Sequence, residues 1–242
     1  MTERLPLFPL NSVLYPGLVM PLHVFEERYR RLVADLLDRP EEEPRRFGVI
    51  AIRDGREVAP VRENDGPAGP LDGLGTATGD PLEALYKVGC VADVTSARRQ
   101  SDGGYELLVT GTTRFTLTSI DAGGAYLVGE TEPLDEPPGE GSGALAAAVE
   151  RAFREYRKRL AGAREASLAG DSDLPLDPQV LSYLVAAATV LPAPVKQELL
   201  AAPDTAQRLT VELELLRRET ALLTWLPSLP AADLTRQAFS PN

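Results

Sequence analysis

Pro21-Leu22-His23-Val24-Phe25-Glu26-Glu27-Arg28-Tyr29-Arg30-Arg31-Leu32-Val33-Ala34-Asp35-Leu36-Leu37 is the stretch on which the fold turns. Phe25, Tyr29, Leu32, Val33, Leu36 and Leu37 recur at helical spacing, with Glu26, Arg30, Arg31 and Asp35 elsewhere around the axis. That pattern predicts an amphipathic helix ending near Arg39-Pro40. The text before it is of another kind: from Leu5 to Met20, short apolar pieces are broken by Pro6, Pro9, Pro16 and Gly17, which suits strands joined by tight turns.

Working outward, Phe47 to Ile52 is a short apolar run ending at Asp54-Gly55, a hairpin signal with Glu57 to Pro60 as the return strand. Residues 62–81 are rich in Gly, Pro and Asp and predict an exposed loop, so that 54–82 is the least determined part of this half. Strand-like text resumes over Tyr86 to Val94, Tyr105 to Val109, Arg114 to Ile120 and Tyr126 to Glu132. Short strands at this spacing around one helix imply a small sheet or barrel rather than a parallel α/β fold. Residues 136–143 have the composition of a connector. Beyond it Leu145, Val149, Ala152, Phe153, Tyr156 and Leu160 form one helical stripe, with Glu150–Arg154 and Glu155–Arg159 as pairs on the wet side. Asp177-Pro178 predicts a helix start, and Gln179 to Val190 is apolar nearly all round, as in a central helix. Asp204 caps a last helix carrying Leu209, Leu213, Leu216, Thr220 and Leu223. The expected class is α+β: a β-rich unit over 1–135, a linker over 136–143 and a helical bundle over 144–242.

The 242 residues carry a net charge of −11, nearly all of it in the first 140, so the surface repels phosphate backbones and nucleic acid is not an expected partner. Cys90 is the single cysteine and has no internal disulfide partner. The start Met1-Thr2-Glu3-Arg4-Leu5-Pro6 lacks the pattern of a secretory signal, so the expected location is cytoplasmic. Even the apolar run Leu181 to Leu191 is too short to span a bilayer, and no membrane association is expected.

The sequence lacks familiar catalytic equipment. Lysine occurs only at 87, 158 and 196, never after glycine, so the usual ATP-binding loop is excluded. One histidine, His23, and one cysteine, far apart in sequence, cannot anchor a common zinc site. His23 lies between Leu22 and Val24 and reads as structural; Cys90, in Val88-Gly89-Cys90-Val91, reads as a small core residue. Glu41-Glu42-Glu43 reads as a solvated loop. No cofactor and no metal are implied.

Leu5-Pro6-Leu7-Phe8-Pro9-Leu10-Asn11, Leu14-Tyr15-Pro16-Gly17 and Pro21 to Arg30 resemble the opening of the Lon protease N-terminal, substrate-binding domain. Phe47-Gly48-Val49, Val88 to Ala92, Gly111-Thr112-Thr113-Arg114-Phe115, Tyr126-Leu127-Val128 and Val195 to Leu200 extend the likeness over nearly the whole chain. Asn64 to Gly69 is superficially similar to the surroundings of the Lon catalytic serine, but the serine is absent.

The resemblance implies a PUA-like pseudo-barrel with a packed helix, then a helical bundle, in a stand-alone form without ATPase or peptidase. It implies a non-catalytic module for unfolded or partly folded polypeptides, an adaptor or chaperone-like factor whose further partner is an ATP-dependent protease. Leu22, Phe25, Tyr29 and Arg30 are the candidate polypeptide-binding residues, each of the first three reading slightly more readily as core. Glu26 and Arg114, in the two clearest motif blocks, are the candidate buried pair linking helix to barrel. The alternatives are RNA binding, from the PUA-like likeness and against the charge, and small-ligand binding, for which a single tryptophan is too few to build an aromatic cage.

Overall fold

In a computed structural model, residues 2–40, 42–53, 81–165 and 174–225 are described. The expected hairpin at 54–60, the loop 62–81 and the serine-site likeness at 64–69 lie almost wholly outside them.

The fold is α+β, with a mixed six-stranded sheet and six helices among the described residues. β1 (Glu3–Leu10) runs parallel to β3 (Arg46–Ala51) and antiparallel to β6 (Val128–Pro133). β4 (Val88–Arg99) lies between β3 and the long β5 (Tyr105–Asp121). One edge of β5 is shared: its first half pairs with β2 (Val19–Val24) and its second half with β6. The sheet thereby closes on itself through β5–β4–β3–β1–β6, and β2 stands beside the closure with β5 as its one strand neighbour among the described residues.

Two apolar clusters lie on opposite faces of the sheet, since neighbours such as Leu7 and Phe8 or Cys90 and Val91 fall into different ones. Leu5, Leu7, Ile50, Val91, Phe115 and Leu117 form one. The other gathers Phe8, Leu22, Val24, Phe47, Val49, Cys90, Ala92 and Val109 beneath α1 (Glu27–Leu37), which contributes Tyr29, Leu32, Val33 and Leu36. Phe115 fits because its cross-strand partner is Gly89: a Cβ there would lie 2.3 Å from the ring and 2.7 Å from the Val49 carbonyl oxygen.

After a four-residue helix α2 (Pro81–Ala84), the remaining helices follow β6. α3 (Ser142–Glu165) packs on α4 (Pro178–Ala188) and α6 (Thr205–Trp225) through Val149, Phe153, Tyr156, Leu181, Val185, Leu209 and Leu216. Asp177 caps α4 by accepting from the Val180 amide at 2.9 Å, and Asp204 caps α6 by accepting from Gln207 at 2.7 Å, as the sequence predicts. α5 (Ala193–Ala201) joins the sheet: Tyr15 donates to the Lys196 carbonyl at 2.8 Å, and Gln197 donates to the Val88 carbonyl at 2.8 Å.

Candidate functional site

β2 carries two different faces because successive side chains of a strand alternate. Leu22 and Val24 point inward and are buried. Val19, Pro21 and His23 point outward and are exposed, and the same alternation carries on into Phe25. Phe25 is 72% exposed and Val19 57%. On β5, Leu108 faces outward opposite Pro21 and is 41% exposed. Val19, Pro21 and Leu108 thus share the outer side of the β2–β5 pair, and Phe25 lies farther along the same side. Between Pro21 and Phe25 the row is polar: His23 lies opposite Glu106, which is paired with Arg98 at 3.5 Å.

The structure separates the four candidate residues. Phe25 is on this outer side. Leu22 is 8% exposed and belongs to the core. Tyr29 is 6% exposed; its ring stacks on Phe8 at 4.2 Å under the Arg28 guanidinium at 4.6 Å, and burial pushes its phenol up to about 12. Arg30 is half-buried and reaches the β4–β5 turn, where a Cβ at Gly103 would lie 3.3 Å from its Nη1. His23, read as structural from its apolar neighbours, is exposed instead. Val19 and Leu108 were not among the candidates, although the alternation from Val19 to Phe25 marks the outward row.

A second polar constellation is buried where sheet and helices meet, and it corrects the expected Glu26–Arg114 pair. Glu26 accepts from its near neighbour Arg28 at 2.6 Å. Arg114 turns the other way: Nη1 donates to the carbonyls of Leu200 and Ala202 at 2.7 and 2.6 Å, and Nη2 to that of Asp135 at 3.1 Å. Its Nε lies 3.2 Å from Glu136, an ion pair without hydrogen-bond alignment. Glu136 also accepts from Arg208, from the Tyr183 hydroxyl and from Thr205 at 3.0 Å. Burial alone would raise the Glu136 carboxyl, but the bonds from Arg208 and Tyr183 and the charges of both arginines hold it below its ordinary range. Burial lowers the Arg114 guanidinium, only partly offset by Tyr183 and Glu136.

Glu212, one turn beyond Arg208, is buried with neither carboxyl oxygen hydrogen-bonded. Burial raises its pKa well above the usual carboxylate range, and the nearby Arg208 charge only moderates this. A separate apolar depression of about 390 Å³ opens between α3 and α4, lined by Phe153, Tyr156, Leu160 and Leu184.

No reactive centre emerges from these groups. Cys90 is fully buried, and burial pushes its thiol up to about 12, far from thiolate at neutral pH. Among the described residues no three His, Cys, Asp or Glu side chains cluster as metal ligands, and no helix is long and apolar enough to cross a membrane.

The model of the ATP-dependent protease La (LON) substrate-binding domain matches residues 4–218. The chain belongs to the Lon substrate-binding domain family. Lon protease 2 of Syntrophobacter fumaroxidans is 32% identical over 216 residues, covering 84% of this chain and 23% of that protein. The Lon protease of Anaeromyxobacter dehalogenans is 28% identical, covering 90% and 24%. The chain thus spans about a quarter of the length of these curated Lon relatives. Two solved structures share the fold: a Lon N-terminal domain protein from Xanthomonas campestris, with 24% identity, a TM-score of 0.51 and coverage of 93% and 99%, and the N-terminal domain of Mycobacterium avium complex Lon protease, with 18%, 0.57, 90% and 98%.

Proposed function

We propose that this chain is a non-catalytic module that captures exposed apolar segments of unfolded or partly folded polypeptides, acting as an adaptor or chaperone-like factor in protein quality control. The observation that carries this reading is the set of outward apolar side chains on one strand pair, Phe25 at 72% exposure with Val19 and Leu108 on the same side. Such a set costs solubility and gains nothing for the core, and exposed apolar patches mark interaction sites. Polypeptide capture requires pockets or a strand edge and no reactive group, in keeping with a domain family described by substrate binding. The closed sheet is, on this reading, the PUA-like pseudo-barrel, and α3 to α6 the helical bundle. An ATP-dependent protease is the natural recipient of what is captured.

Fluorescence anisotropy of a labelled, permanently unfolded protein, titrated with the chain at two salt concentrations without ATP, tests this. Saturable binding that persists in high salt is expected, because apolar contact is not screened. Absence of binding, or binding abolished by salt, would sink it.

A further inference from the structure

We propose that the open edge of β2 takes an extended segment of the bound polypeptide as an added strand, through the backbone groups of Val19 and His23 and the carbonyl of Pro21. This rests on the polypeptide-binding reading and specifies its geometry.

Two observations fix which backbone groups turn away from β5. Val19 lies opposite Thr110, so Leu18 lies opposite Gly111, and the Gly111 amide donates to the Leu18 carbonyl at 2.8 Å. In an antiparallel ladder bonded and non-bonded pairs alternate. Met20, Leu22 and Val24 therefore turn their N–H and C=O toward β5, and Val19, Pro21 and His23 turn theirs away. Proline, lacking an N–H, is tolerated only where no partner strand needs one, and Pro21 stands at an outward-turned position. Among the described residues only β5 pairs with β2.

The same three residues place their side chains on the outer surface with Phe25. A strand added along this edge would set every second side chain beside Val19 and Phe25 on that surface, so backbone pairing and apolar contact coincide. The occupant is accordingly an extended segment with apolar residues at alternate positions. The chain's charge of −11 favours cationic flanks on it. Pro21 interrupts the run of donors, which limits how tightly and how far a strand can pair; capture is then reversible, and the edge is a poor template for fibrillar growth.

A fluorescein-labelled decapeptide of alternating valine and threonine with a lysine at each end is the probe. A second peptide of the same sequence, N-methylated at every backbone amide, keeps side chains and charge but loses its backbone donors. The parent peptide should bind, the methylated one about tenfold or more weakly, the equivalent of one or two net hydrogen bonds. Equal affinity for both would overturn strand addition while leaving apolar capture intact. No binding of the parent would overturn both. His23→Pro removes one edge amide and none that faces β5; it should weaken the parent peptide about fivefold with its melting temperature retained. Concentration-dependent dimerisation abolished by His23→Pro would instead assign the edge to a second copy and refute the proposal.

Discussion

Glu136→Ala is the perturbation most sharply defined by the structure. The carboxylate is buried among Arg114, Arg208, Tyr183 and Thr205, and it is the only carboxylate in contact with either arginine among the described residues. Removing it leaves two guanidinium groups buried without a counter-charge. Breaking a buried pair in this way costs about 3–5 kcal/mol. Both arginines keep carbonyl partners, Arg114 at Leu200, Ala202 and Asp135 and Arg208 at Leu199, so the lower half of that range, about 3–4 kcal/mol, is expected. For a chain of this size that is a fall in melting temperature of about 6–16 °C, read by circular dichroism. The sign with pH follows from the depressed carboxyl: its contribution is present above the unfolded value of about 4.3 and fades as pH falls through the lower folded value. The difference between wild type and Glu136→Ala should therefore shrink on acidification below about pH 4. A change under about 2 °C at pH 7, or a difference that grows in acid, would refute the assignment of Glu136 as the counter-ion of both arginines.

Glu212 should behave with the opposite sign. Its folded pKa is raised, so the stability it permits is full below about pH 4.3 and is lost as pH rises toward the folded value. Glu212→Gln should match wild type at pH 4 and exceed it increasingly at higher pH, by up to about 1.4 kcal/mol per pH unit within that window; denaturant melts across pH check this. Gly89→Ala should cost about 3 kcal/mol, because its Cβ meets both the Phe115 ring and backbone, as urea midpoints would show. Leu22→Ala and Phe25→Ser should part company: the first should lower stability by about 2–4 kcal/mol. The second should shift it by less than about 0.5 kcal/mol yet weaken capture of an unfolded protein about tenfold, measured by anisotropy.

The divergence of Leu22, Phe25 and Tyr29 shows where the sequence was legible and where it was not. The helical stripe Tyr29, Leu32, Val33, Leu36 is buried as its spacing implies. Phe25 fits the same stripe but lies before the helix: Glu26 is extended, with φ −67° and ψ 138°. Phe25 therefore follows the period of two of β2, which turns it outward, and the helical period gives it the wrong face. Val19 was legible from the alternation of β2, whereas Leu108 was hidden because its place beside that strand depends on a pairing between segments far apart in sequence. Arg114 stood out in its motif block, but its partner could not be read locally: Glu136 sits in a proline-rich stretch with the composition of a connector, and its contacts with Tyr183 and Arg208 are made only when sheet and helices dock. Capping signals at Asp177 and Asp204, which depend on neighbours in sequence alone, were readable outright.

The most direct test of the central claim is an amide shift map: the isotope-labelled chain titrated with a permanently unfolded protein and followed by two-dimensional NMR. Shifts concentrated at Val19, His23, Phe25 and Leu108 are expected. Shifts confined to Phe153, Tyr156 and Leu160, at the depression between α3 and α4, would contradict it and move the binding surface to the helices.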